Sequence, residues 1–219
     1  MDNKEITWKQ SALQDITLKR IIYFLLGVNA LSIGIVLNTK SQLGVGSITT
    51  LPYVFSFITS FTLGNAITLL YFIFVVIQTG LLKKIDYKIL IQFPFSFLVG
   101  ILIDFYDVLL NIKATYLFIQ ISLLIIATLL TALGVYLMLK GDIVLNPSDG
   151  IVQTIAQVFH QPFGRLKITF DLSTIALSCL LGLVFKGYIV GVGIGTVINA
   201  FCIGYCLSYN LYNRSIIIV

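Results

Sequence analysis

Between Thr115 and Leu139 the chain runs through 25 residues without a charged side chain, and Leu63 to Leu82 does the same over 20. An α-helix needs about 20 apolar residues to cross a bilayer, and each backbone polar group in lipid must be satisfied within the protein. Runs of this kind recur along the sequence, at Ile21 to Asn38, Ile89 to Leu110, Ile168 to Phe185 and Tyr188 to Tyr209. They predict an all-α polytopic membrane protein. Composition agrees, because 58% of the 219 residues are apolar and 11% charged, with a mean hydropathy of +1.01. A soluble domain is about 45–50% apolar and about 25% charged, so a soluble enzyme and a disordered chain are both excluded.

Two apolar segments fall short of a full crossing: Ser47 to Phe61, with 15 residues, and Pro147 to His160, with 14. At 1.5 Å per residue they reach about 21–22 Å, against roughly 30 Å of hydrocarbon. The order long, short, long, long therefore occurs twice. A shift of 100 residues places Ile33-Gly34-Ile35 on Leu133-Gly134-Val135, Leu37 on Leu137, Lys40 on Lys140 and Gly64 on Gly164. A shift of 104 pairs Phe97 with Phe201 and Gly100 with Gly204. The expected organisation is an interfacial arm over 1–20 carrying Trp8, a first membrane repeat over 21–110, a second over 115–209 and a tail over 210–219. Each repeat would hold three spanning helices and one short half-spanning helix.

The net charge of +5 reads as topology, because the basic residues flank apolar runs and no aromatic and basic interleaving points to nucleic acid. If all eight segments cross with the N-terminus inside, 8 basic residues lie in the cytoplasm and 6 outside. If both short segments are re-entrant, the split becomes 11 inside against 3 outside (Lys40, Lys113 and Lys186). The positive-inside rule prefers the second arrangement, with both termini cytoplasmic and the second half inverted relative to the first. The eight-crossing arrangement stays open, since short helices cross where a bilayer thins.

Both short segments open on a polar turn with glycine: Leu43-Gly44-Val45-Gly46-Ser47, then Thr50, and Asn146-Pro147-Ser148-Asp149-Gly150. Asn146 suits an N-cap, Pro147 the first helical position and Asp149 the third. A helix N-terminus at membrane depth presents unpaired N–H groups to an anion or a polar solute, unless Ser47, Ser148 and Asp149 merely cap their own helices. Asp171 lies inside the Ile168 to Phe185 run, where an acid facing lipid costs about 2.5–3.5 kcal/mol or more, so it should face the bundle interior. Ser47, Ser148, Asp149 and Asp171 are expected to line one cavity near the bilayer middle. Thr196 and Asn199, like Asn29 and Ser32, are expected to bond across the bundle, and Ser47, Thr50, Asn146, Ser148, Asp149, Asp171, Thr196 and Asn199 together are the candidate substrate-binding residues. Gly187, Gly191 and Gly195 form an i, i+4 stripe for close helix approach. Asp104 is expected to make a structural bond.

Together the Leu43 to Ser47 turn, the Asn146 to Gly150 turn and the run Gly193-Ile194-Gly195-Thr196-Val197-Ile198 resemble the YczE/YyaS/YitT family of bacterial membrane proteins, over about Arg20 to Tyr209. The likeness is nearer the YczE type, since no soluble domain follows the last apolar run. The resemblance implies a multi-pass protein of the bacterial plasma membrane and carries over no substrate, cofactor or catalytic residue.

The expected function is a secondary transporter or permease for a small solute. The alternative is a non-transporting accessory membrane protein that binds a partner protein or lipid. No catalytic residue, metal or cofactor is expected. Gly193-Ile194-Gly195 is followed by Thr196, so the GxGD signature of intramembrane aspartyl proteases is missing, and His160 has no evident nucleophile. Cys179, Cys202 and Cys206 read as small apolar side chains.

Overall fold

In the computed structural model, residues 17–83 and 87–200 are described, and within them every regular element is an α-helix. The helices are α1 (Leu18–Ser41), α2 (Ser47–Ile58), α3 (Leu63–Leu82), α4 (Tyr87–Leu90), α5 (Gln92–Leu109), α6 (Leu117–Gly141), α7 (Pro147–Val158) and α8 (Phe163–Lys186). Five spans, α1, α3, α4 with α5, α6 and α8, are long and apolar enough to cross a membrane. Their outer faces carry Phe105, Leu117, Phe118, Leu172 and Val184, all exposed, as lipid-facing positions require. The chain is a multi-pass integral membrane protein. Residues 1–16 of the expected N-terminal arm, including Trp8, and the 210–219 tail lie outside the described residues, while 18–20 of that arm are the first residues of α1.

Local chemistry sets several boundaries. The Ile89 to Leu110 run is broken at Ile91, because Pro94 has no N–H for the Leu90 carbonyl and its ring crowds that oxygen. At the start of α3, Thr62 accepts from the Asn65 N–H at 3.1 Å. Asp104 of α5 then accepts from the Gly64 N–H at 2.8 Å and from the Thr62 hydroxyl at 2.6 Å. This acid is a structural cap tying α3 to α5, as expected.

The centre of the molecule is an antiparallel crossing of α1 and α6. The Arg20 Nε donates to the Gly141 carbonyl at 2.9 Å at one end. Further along, Gly27 meets Gly134 and Gly34 meets Thr131 so closely that a Cβ on any of these glycines would strike the facing backbone. Small residues of this kind let membrane helices approach to backbone distance.

Around this crossing the short helices are exchanged. α2 packs on α8 and α7 packs on α3, while each also touches the long helix that follows it. Both are 12 residues long, about 18 Å, too short to cross. α7 starts 100 residues after α2, and α8 starts 100 residues after α3.

The last expected span is corrected. Residues 187–193 are not helical, and helix resumes only at 194, with 201–209 outside the described residues. Gly187 ends α8 in the left-handed conformation at φ 78°, and Gly191 sits at φ 74°. The glycines at 187, 191 and 195 therefore form no helical stripe. Instead the segment lies along the turn before α2, where the Val45 N–H donates to the Gly191 carbonyl and the Gly195 N–H to the Leu43 carbonyl, both at 2.8 Å. Gly44, at φ 112°, faces Gly193 and Thr196 with no room for a side chain. Backbone pairing has replaced helix continuation here.

Candidate functional site

The turn clamped by residues 191–195 delivers Ser47 to the first position of α2. Thr174 of α8 donates to the Ser47 carbonyl at 3.2 Å, and Ser178 donates to the Thr50 hydroxyl at 2.8 Å. These bonds seat the start of α2 against the middle of α8. The start of α7 is seated on α3 in the same manner, with the Gln78 amide donating to Gln92 Oε1 at 2.9 Å and to the Pro147 carbonyl at 3.4 Å.

Asn146 occupies the N-cap position of α7 and Pro147 follows it, but neither short helix has a side-chain cap. The N-cap residues are Gly46, which has no side chain to offer, and Asn146, whose side chain makes no cap bond. Both turns face a cavity of about 60 Å³ whose lining includes Asn38, Ser47, Tyr71, Asn146, Ser148, Asp149, Lys167 and Asp171. Tyr71 lies against Asn146 and Ser148, and Ser47 is within hydrogen-bonding reach of Asp171.

A buried ion cluster dominates the chemistry. The Lys167 Nζ is 3.1 Å from Asp149 Oδ1 and 3.1 Å from Asp171 Oδ1, and the three residues are 3–5% exposed. Two carboxylates share one ammonium, so the fully ionised cluster carries one excess negative charge. An anion at these helix N-termini would meet that charge in a poorly screened interior, so the arrangement suits a cation or a neutral polar group better. Among the described residues, no three His, Cys, Asp or Glu side chains gather into a metal-holding group.

Of the expected site residues, Ser47, Asn146, Ser148, Asp149 and Asp171 line this one cavity. Thr50 lies behind it, donating to the Ser47 carbonyl at 2.6 Å. Thr196 is apart, spent on its own turn through the Gly191 carbonyl at 3.3 Å. Asn199 accepts from Thr128 of α6 at 2.8 Å, so it does bond across the bundle. Asn29 crosses similarly, accepting from the Tyr106 hydroxyl at 2.7 Å, whereas Ser32 bonds within its own helix at 2.9 Å.

Lys167, Asn38 and Tyr71 were not anticipated. Lys167 counted as a loop charge because the helix was expected to begin at Ile168. α8 begins at Phe163, which puts Lys167 inside the second turn and one turn before Asp171. Its i, i+4 spacing to that acid was the available signal. Without it the expected re-entrant split is 10 basic residues against 3, a count that includes a crossing after residue 188.

On the other side of the α7 start is a larger cavity of about 470 Å³, with Gln78, Gln92, Gln153, Thr154 and Gln157 among its lining. The Gln78–Gln92 pair lies against Gly150, where a side chain would collide with both amides.

A model of a family described as of unknown function, DUF6198, matches residues 18–211. No curated protein and no solved structure matches the chain.

Proposed function

The chain belongs to that family of unknown function, and from its geometry we propose that it is a secondary transporter or permease for a small polar solute, not an enzyme. One observation carries this reading: an Asp149–Lys167–Asp171 cluster, net-negative when fully ionised, lies buried in an apolar bundle beside a cavity lined by the first turns of two half-length helices. Ionisable groups at membrane depth are costly and mark ion or substrate pathways, and broken helices aimed at a midplane site are a recurring transporter design. The 100-residue offset of α2 with α7 and of α3 with α8, and their exchanged packing, support two inverted repeats. The amide-lined 470 Å³ cavity has the size and hydrogen-bonding capacity for a solute of a few heavy atoms, which the 60 Å³ cavity lacks.

The proposal places the protein in a bacterial plasma membrane, related to the YczE/YyaS/YitT group, with re-entrant short helices and both termini cytoplasmic. A Lys84→Cys variant in a background without native cysteines should stay unlabelled by an impermeant thiol reagent in intact cells. Labelling there overturns the re-entrant topology.

A thermal-shift screen of polar solutes on detergent-solubilised protein, followed by uptake of the best hit into proteoliposomes, tests the activity. Asp171→Asn is expected to express and fold while losing that uptake. Wild-type protein that takes up no hit but co-purifies with a membrane partner supports the accessory role instead.

A further inference from the structure

The cluster between α7 and α8 leaves two things unbalanced. Its charge is one, since Asp149 and Asp171 face a single Lys167. Its hydrogen bonding is the other, since the side-chain oxygens of Asn38 and Asn146 have no partner among the described residues. Asn38 is 3% exposed, Asn146 is 8% exposed, and both line the same 60 Å³ cavity as the acids. A buried carbonyl oxygen without a donor is costly, so two beside an uncompensated charge call for a ligand.

The chemistry of that ligand follows from the deficits. It must be cationic, because the excess charge is negative. It must be monovalent, because one positive charge brings the cluster to neutrality and two would overshoot it. A proton on one carboxyl would cancel the charge but supply a single donor, leaving at least one amide oxygen unpartnered. A hard cation accepts several oxygen ligands at once, and carboxylate and amide oxygens are what such ions select. The cavity holds a bare ion or a few waters and no larger cation.

We propose that Asn38, Asn146, Asp149 and Asp171 form a binding site for a dehydrated sodium ion, with Lys167 holding the two carboxylates apart and oriented. This rests on the transporter reading and deepens it, since the ion sits beside the amide-lined cavity and is separated from it by the first turn of α7. Occupation of the site would fix that turn, so sodium is the coupling ion for the solute.

The test is thermal unfolding of the purified full chain in NaCl, KCl or choline chloride at matched ionic strength. Sodium is expected to raise Tm by roughly 5–10 °C when about 100-fold above half-saturation, with choline giving no rise. Asn38→Ala should fold like wild type, because its side-chain oxygen makes no hydrogen bond among the described residues, and should weaken half-saturation at least tenfold. Asp171→Asn should abolish the sodium response. Equal Tm in sodium and choline overturns the site, as does an unchanged sodium response in Asn38→Ala. A stabilisation that follows pH, ignores sodium and vanishes in Asp171→Asn assigns the place to a proton and leaves the transport reading standing. Sodium-dependent stabilisation without any solute uptake breaks the transport reading and leaves the sodium site.

Discussion

The two exchanged helix pairs, α2 on α8 and α7 on α3, are built to one plan and carry different chemistry. Thr50 of α2 receives Ser178 of α8, and 100 residues away Gly150 of α7 lies against Gln78 of α3. Ser47 faces Asp171, while Ser148 faces Tyr71. Lys167 on α8 corresponds to Ile67 on α3, which is buried in the apolar core. At these matching places α3 thus packs without charge, and the acid of its own pair, Asp149 of α7, is turned to Lys167 of α8 instead. A buried ion cluster is weak evidence for stability, since apolar side chains of similar volume often hold a fold as well or better. Ile67 and Tyr71 are that apolar solution, already present in the molecule. The charge on the α8 side is therefore not demanded by packing, which is what the proposed binding role needs.

The largest effect expected from breaking this contrast is at Lys167. Lys167→Met leaves two carboxylates buried without their counter-charge, which costs about 3–5 kcal/mol. Ile67→Met, at the matching place, keeps volume and polarity and should cost under about 1.5 kcal/mol. Chemical or thermal unfolding of both variants reads the difference, and adding Asp149→Asn to Lys167→Met should recover part of the loss. If Lys167→Met is as mild as Ile67→Met, the carboxylates are already neutral and the charge contrast between the pairs fails.

The frame was legible from the sequence wherever one physical term dominated. Apolar runs gave the long helices, and run length separated the two short ones, whose starts at Ser47 and Pro147 match the structure. Asp171 and Asp149 stood out because an acid in such runs has few tolerable places. Lys167 was hidden by a boundary error of a few residues, which turned a buried helical side chain into a loop charge. Tyr71 and Asn38 are ordinary residues in apolar helices, and only the tertiary exchange of α2 and α7 brings them to the site. The 188–193 segment was misread because glycines among apolar residues have the hydropathy of a span. Its pairing with 43–45 is long-range backbone bonding that periodicity does not report.

A smaller effect is expected from the acid of the first half. Asp104 has both oxygens engaged, by Thr62 at 2.6 Å and by the Gly64 N–H at 2.8 Å, and lies outside the cavity. Asp104→Ala removes a cap and should cost about 1–2 kcal/mol. Its sodium-dependent Tm rise should keep the wild-type half-saturation. A shifted half-saturation would mean that the two acidic positions are coupled, and the contrast between a structural and a binding acid would blur.

The smallest effect falls where the two pairs differ least. The one Ser178 hydroxyl proton is shared between the Thr50 hydroxyl at 2.8 Å and the Thr174 carbonyl at 2.6 Å, two turns beyond Asp171. Replacing Ser178 with alanine orphans little, because Thr50 still donates to the Ser47 carbonyl at 2.6 Å and the Thr174 carbonyl keeps a second lone pair. Ser178→Ala should therefore cost about 0.5–1 kcal/mol and leave sodium binding unchanged. Its counterpart, Gln78→Ala, strips donors from both Gln92 Oε1 and the Pro147 carbonyl and opens the partition against Gly150. It should cost more than Ser178→Ala and, unlike it, alter solute-dependent stabilisation. Equal costs and an unchanged solute response for both would mean that α7 is held on α3 by its apolar face alone. The Gln78–Gln92 pair would then have no part in shaping the larger cavity.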